Sequence, residues 1–70
     1  IPGLGSVRSA LASNPDTPPT ILESLAKENY SMVREKVAQN PNTPLSIIQE
    51  LTMDKNGEVA CTASEIIKLR

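Results

Sequence analysis

A chain of 70 residues is long enough for one domain, and a domain of this size buries only about 60% of the surface that its unfolded chain exposes. Tyr30 is the only aromatic residue, Cys61 is the only cysteine and histidine is absent, which excludes an intramolecular disulfide and a zinc site built from cysteines and histidines. The formal net charge of −1 excludes the strongly basic surface of a typical nucleic-acid-binding protein and gives no reason to expect an anionic membrane as the target.

The first six residues, IPGLGS, lack the basic and long apolar regions of a signal peptide. No apolar stretch elsewhere approaches the roughly 18 residues that suggest a membrane span. The sequence therefore predicts a soluble, cytoplasmic protein without a membrane partner.

The sequence repeats itself with a fixed period. Val-Arg at 7–8 returns as Val-Arg at 33–34, and a third valine follows at position 59, so that the three valines are equally spaced along the chain. Placing 7–32 over 33–58 without a gap gives nine identical pairs, and self-similarity at such a fixed period is typical of solenoid proteins. We predict one repeat domain over 1–70, with unit 1 at 7–32, unit 2 at 33–58 and a partial unit at 59–70.

The apolar spacing within each unit predicts two short helices. In unit 2, Val33 and Val37 lie one helical turn apart, and the second segment carries an apolar stripe formed by Ile47, Ile48 and Leu51. Unit 1 shows the same spacing at the equivalent positions. The predicted fold class is therefore all-α, a short right-handed solenoid of helix-corner-helix repeats.

A proline corner joins the two helices of each unit. It reads NPDTP at 14–18 and NPNTP at 40–44. In the second copy, Pro41 disfavours the α conformation in the residue before it and so ends the first helix. Thr43 is predicted to cap the second helix, and Pro44 stands where the N–H that proline lacks is not needed.

The third unit departs from this pattern. Ile66 and Ile67 stand where the corner would fall, after a turn supplied by KNGE at 55–58. A helix is therefore predicted to begin near Glu58, to continue to about Leu69 and to close the domain.

The segments VRSALASNPDTPPTILESLAKE at 7–28 and VREKVAQNPNTPLSIIQELTMD at 33–54 resemble the leucine-rich repeat variant family. The resemblance implies a right-handed superhelix in which α-helices alternate with short 3₁₀ helices, so that one of the two helices in each unit can be 3₁₀. It also implies an interaction module without known catalysis. One member of the family is associated with an iron–sulfur cluster on a separate cysteine-rich segment, but this chain offers only Cys61, and no cofactor is expected.

Charged residues repeat together with the apolar ones. Arg8 and Arg34 hold equivalent positions, as do the acidic residues Glu28 and Asp54. The favoured interpretation is a structural ladder of ion pairs between neighbouring units. The alternative is a basic stripe that binds a partner, which Ala60, in place of a third arginine, makes less favourable.

Tyr30, Met32 and Met53 lie near the ends of the units, where packing is a commoner role than binding. Tyr30 is nevertheless kept as a candidate interaction residue. Cys61 is predicted to be a small buried residue of the last helix. No nucleophile has a recognisable base or metal ligand beside it, so no enzyme activity is predicted.

The predicted function is that of a non-catalytic protein–protein interaction module. A repeat cannot bury its apolar face alone, and about three or more stacked units are normally needed. Only IPGLGS precedes Val7 and Leu11. We therefore expect a second copy of the chain, a protein partner or further repeats of a longer protein to cover these two side chains.

The alternative function is that of a helix-turn-helix-like nucleic-acid-binding or regulatory domain. In that case REKVAQN at 34–40 would be the recognition helix in a major groove. This segment has only two basic residues, and Glu35 offsets one of them. The alternative is therefore less favoured.

Overall fold

A computed structural model describes the backbone of residues 2–70 and the side chains of residues 7–70. The side chains of IPGLGS, which were considered as a cover for Val7, lie outside the described residues. Over the described range the chain forms five α-helices and no strand: α1 Pro2–Ser13, α2 Pro19–Leu25, α3 Ser31–Gln39, α4 Leu45–Leu51 and α5 Gly57–Leu69. The predicted all-α class is confirmed.

The helix bounds follow the period of the sequence. The starts of α2 and α4 are one period apart, and so are their ends. The ends of α1 and α3 are separated by the same period, as are the starts of α3 and α5. Each unit thus contains a first helix and a second helix of seven residues. The last helix, Gly57–Leu69, has nearly the predicted bounds, and the Asn56 side chain caps it by accepting hydrogen bonds from the N–H groups of Glu58 and Val59.

The second helix of each unit is an α-helix, whereas the family resemblance implies 3₁₀ helices. The tighter i→i−3 bonds occur at both ends of these helices, for example from Ile47 N–H to the carbonyl of Pro44 at the start of α4 and from Met53 N–H to the carbonyl of Glu50 after its end. The 3₁₀ character is therefore confined to the helix ends.

The threonine of each corner serves the helix before it, so the prediction that Thr43 caps the second helix is wrong. The Thr43 hydroxyl donates to the carbonyl of Val37 at 2.6 Å, and the Thr17 hydroxyl donates to that of Leu11 at 2.6 Å. The N-cap position of α4 is held by Pro44, without any side-chain hydrogen bond. The carbonyls at the end of a helix lack partners within it, and the threonine satisfies one of them.

α3 lies at the centre of the molecule, between α1 and α5. α4 contacts α3 and α5, while α2 contacts α1 and α3. The apolar stripes meet in one cluster whose largest fully buried members are Leu22, Ile48, Val33, Val37 and Val59. This order leaves α1 with a neighbouring first helix on one side only, and the same holds for α5.

Candidate interaction surface

The exposure of the valine that begins each unit shows whether that side of the first helix is covered. Val33 on α3 is 0% exposed and Val59 on α5 is 1% exposed, whereas Val7 on α1 is 63% exposed. α3 and α5 each pack against the first helix of the preceding unit, and the structure describes no such helix before α1. The valine position therefore faces the preceding unit.

Two further positions show the same difference between units. Leu11 is 40% exposed, while Val37, its equivalent in unit 2, is fully buried. Ile21 on α2 is also 40% exposed, but Ile47 on α4 is only 7% exposed. Ile47 lines a surface groove together with residues of α2, which places it on the side of the preceding unit. We call Val7, Leu11 and Ile21 the leading face.

The opposite side of each first helix faces the following unit. Ala12 and Ala38 are completely buried, because α3 follows α1 and α5 follows α3. Ser64, the equivalent residue on α5, is only half-buried. Ala60 and Ile67, about one turn away on either side of Ser64, are half-buried as well. We call Ala60, Ser64 and Ile67 the trailing face.

Side-chain amides of the second corner bind carbonyls of the first. The Asn40 Nδ2 group donates to the carbonyls of Ala12 at 2.7 Å and Asn14 at 2.8 Å. The Asn42 Nδ2 group donates to the carbonyl of Thr17 at 2.7 Å. Asn40 is 2% exposed, so these bonds satisfy polar groups in the interior of the junction.

Arg70 takes over this role at the second corner. Its guanidinium donates to the carbonyl of Asn40 at 3.0 Å and to that of Thr43 at 2.7 Å. These carbonyls are equivalent to those of Asn14 and Thr17 one unit earlier. This role of Arg70 was not predicted, although the sequence carries a signal for it: Ile66 replaces the asparagine, and Arg70 is the nearest arginine after it.

Arg34 and Asp54, two of the residues predicted for the ladder, form a buried ion pair. The Arg34 Nε atom lies 2.6 Å from Asp54 Oδ2, Nη2 lies 3.1 Å from Oδ1, and both side chains are 7% exposed. Burial by itself would raise the pKa of Asp54. Hydrogen bonds from Arg34 and from the N–H of Asn56, with the charges of Arg34 and Lys55, outweigh that effect and hold this pKa below its usual value.

The equivalent pair in unit 1 is more open to solvent. Arg8 Nε lies 3.0 Å from Glu28 Oε1 without hydrogen-bond alignment, and the two side chains are 30% and 31% exposed. The Arg8 guanidinium carbon also lies 5.2 Å from the centre of the Tyr30 ring, within cation–π distance. The five candidate residues thus form two clusters, Arg8 with Glu28 and Tyr30, and Arg34 with Asp54.

These ion pairs lie within each unit, whereas the ladder was expected between units. Asp54 belongs to the loop that follows the second helix of unit 2, and this loop passes beside the first helix of the same unit. Between units, Arg34 makes a bond from Nη1 to the backbone carbonyl of Glu28. At the boundary between the units, Arg34 therefore binds the backbone carbonyl of Glu28 and not its carboxylate.

Four side chains are more exposed than the sequence indicated. Met32 and Met53 are largely exposed, so the packing role favoured for them is wrong. Cys61 is exposed rather than buried, because it lies two residues from both Val59 and Ala63 and therefore on the other side of α5. Tyr30 is 56% exposed, and its ring packs on Arg8.

The described residues include no group of three or more cysteines, aspartates or glutamates placed to hold a metal ion. Within the same range, no helix has both the length and the apolar character needed to cross a membrane.

Comparisons of the chain with models of known protein families, with curated proteins and with solved structures find no match.

Proposed function

We propose that the protein is a non-catalytic protein–protein interaction module of the helical-repeat type, and that the leading face is its binding surface. One observation carries the proposal: Val7 is 63% exposed, while Val33, the same residue at the same place in unit 2, is completely buried. Burying an apolar side chain of this size contributes about 1.5–3 kcal/mol. A partner that covers Val7, Leu11 and Ile21 would gain part of this for each residue.

The proposed architecture is a stack of units, as in the leucine-rich repeat variant family that the sequence resembles. The recurring helix bounds support this architecture. So does the reuse of the threonine bond in both corners, since Thr17 and Thr43 make equivalent contacts at the same distance. Stacked repeats bind partners through extended concave surfaces, and they normally carry a polar cap over each end, so an end unit with an apolar outer face needs another cover.

No observation favours the helix-turn-helix alternative. A recognition helix needs one side free to enter a groove, but α3 contacts α1 on one side and α5 on the other. Arg34, the first basic residue of the candidate recognition segment, is 5% exposed and is bonded to Asp54. We therefore do not propose nucleic acid as the partner.

The experiment compares substitutions on and off the leading face. Protein partners would be recovered by cross-linking from a photoreactive residue placed at position 11 or, as a control, at position 53. Each recovered partner would then be purified and its affinity measured for the wild type, for Leu11→Lys and for Met53→Lys. Met53 is 87% exposed on a different part of the surface and serves as the matched control.

We expect Leu11→Lys to weaken binding at least about tenfold, as substitutions at the centre of an interface do, and Met53→Lys to leave it unchanged. Circular dichroism would show whether both variants stay folded. Partner binding that tolerates Leu11→Lys would contradict the proposal. Binding of DNA in a gel shift that weakens steeply with added salt would favour the alternative instead.

A further inference from the structure

We propose that the leading face of one molecule binds the trailing face of a second copy, so that the chain assembles head to tail. This inference rests on the proposed function, because it names the partner of the same surface. The supporting observation is the junction between units 1 and 2, where the unit 2 residues equivalent to the leading face, such as Val33 and Val37, are covered by α1.

The first step concerns shape. Inside the molecule, the side of α1 that carries Ala12 faces α3, which presents Val33 and Val37. A first helix thus offers a small side chain to the valine side of the next. α5 repeats this arrangement at its outer side, where Ser64 holds the place of Ala12 and Ala60 replaces the bulky arginine. The trailing face therefore offers room for Val7 and Leu11 of a second copy.

The second step concerns hydrogen bonds. Asn40 donates to the carbonyls of Ala12 and Asn14 in the preceding unit. Asn14 holds the same place in unit 1, and its side chain is exposed. In a head-to-tail contact it would lie over the carboxyl-terminal turn of α5, where the equivalent carbonyls belong to Ser64 and Ile66. Both residues lie within α5, which continues to Leu69, and the Ile66 carbonyl already accepts from the N–H of Arg70. A carbonyl oxygen has two lone pairs, so the Asn14 amide would add a second hydrogen bond there.

The third step concerns charge. Residues one unit apart lie side by side at the internal junction, as the bond from Asn42 to the carbonyl of Thr17 shows. Asp16 is the unit 1 equivalent of Asn42, and Lys68 is the equivalent of both in the partial unit. The partial unit has no corner, and Lys68 instead lies in the last turn of α5, so a second copy that stacks on this turn would bring its Asp16 near Lys68. Both side chains are exposed, and their charges are opposite.

The contact joins two different faces of the same chain. Such a heterologous contact closes into a ring where the rotation allows it, and otherwise continues as an open filament. A symmetric dimer through two leading faces would leave the trailing face without a function and would not bring Asp16 to Lys68. The two arrangements predict different masses in solution for variants in which only one of the two faces is blocked.

The test uses one variant that blocks each face. Val7→Glu places a charge on the leading face and Ser64→Arg places a long cation on the trailing face, while Met53→Glu changes an exposed residue outside both faces. We expect the wild type and Met53→Glu to grow in mass with concentration in sedimentation equilibrium. We expect each blocked variant to stay monomeric, and an equal mixture of the two to form a dimer that grows no further.

Two results would overturn the inference. Dimerisation of Ser64→Arg alone would show a symmetric contact through the leading faces. A wild type that stays monomeric up to about 1 mM would show that no useful self-affinity exists. If Leu11→Lys still abolished binding to another protein in that case, the proposed function would stand and only the identity of the partner would be wrong.

A charge exchange tests the register of the contact. We expect Asp16→Lys and Lys68→Asp each to weaken self-association about threefold, the size typical of an exposed ion pair, and the double variant to regain the wild-type affinity. Additive weakening in the double variant would contradict the pairing of these two residues.

Discussion

Arg8 and Arg34 occupy the same place in two units, but the surroundings of their side chains differ. Arg34 and Asp54 are bonded through two nitrogen–oxygen contacts and are nearly closed to solvent. Arg8 and Glu28 are about a third exposed. Removing one member of a buried pair leaves an uncompensated charge, which costs more than removing an exposed pair that water already screens.

We expect Arg34→Ala to lower the free energy of unfolding by about 3 kcal/mol and Arg8→Ala to lower it by about 1 kcal/mol or less. Urea denaturation of the two variants beside the wild type measures both values. The two substitutions remove the same side chain from equivalent positions and so serve as controls for each other. Equal losses, or unchanged stability of Arg34→Ala together with lost partner binding, would favour a binding role for this arginine.

The lowered pKa of Asp54 predicts a pH dependence of stability. A carboxylate whose pKa is lower in the folded state contributes its full stabilisation above its unfolded pKa of about 3.9 and loses it as the pH falls through the folded value. We expect the difference in unfolding free energy between wild type and Asp54→Asn to be constant above about pH 5 and to shrink below about pH 4. A difference that persists unchanged to about pH 2 would contradict this assignment.

At the scale of elements, the proline corner both ends one helix and joins two units. Asn40 accepts a hydrogen bond from the N–H of Asn42 within its own corner and donates two to the preceding corner. Asn14 makes the equivalent local bond, accepting from Asp16 N–H at 2.9 Å, but its side chain lies at the exposed end of the molecule. The same motif therefore stabilises a junction in one place and only a turn in the other.

We expect Asn40→Ala to lower the free energy of unfolding by about 2–3 kcal/mol, because the buried carbonyl of Ala12 loses its side-chain donor and the carbonyl of Asn14 loses one of its two donors. Asn14→Ala should cost about 1 kcal/mol or less, since water can replace its local bond. Thermal denaturation followed by circular dichroism compares the two. Similar losses would mean that Asn40 acts only within its own corner.

Most of the elements could be predicted from the sequence, because their signals are local. The prolines fix the ends of the first helices, and the absence of a corner at Ile66 and Ile67 lengthens the last one. The direction of the Thr43 bond could not be predicted in this way. A hydroxyl at that position can bond to the end of the helix before it or to the start of the helix after it. The angle between the two helices determines which bond forms, and here it is the bond to the Val37 carbonyl.

At the scale of the whole molecule, the same apolar pattern is buried in unit 2 and exposed in unit 1. Val33 and Val37 are covered by unit 1, while Val7 and Leu11 remain open. The sequence predicted that these two residues need a cover, because a repeat cannot bury its own face. It did not single out Ile21, which is 40% exposed while its equivalent Ile47 is 7% exposed, because that difference depends on long-range packing. Nor did it reveal the role of Arg70, which follows from long-range contacts.

The most direct test compares one substitution at the two equivalent valines. Val7→Lys and Val33→Lys would be unfolded in urea at a protein concentration at which sedimentation equilibrium shows only monomer. Because Val7 is largely exposed and Val33 is buried, we expect the stability of Val7→Lys to stay within about 0.5 kcal/mol of the wild type. Val33→Lys should lose more than about 4 kcal/mol or fail to fold. Comparable losses at both positions would show that the leading face is not open, and would contradict the account.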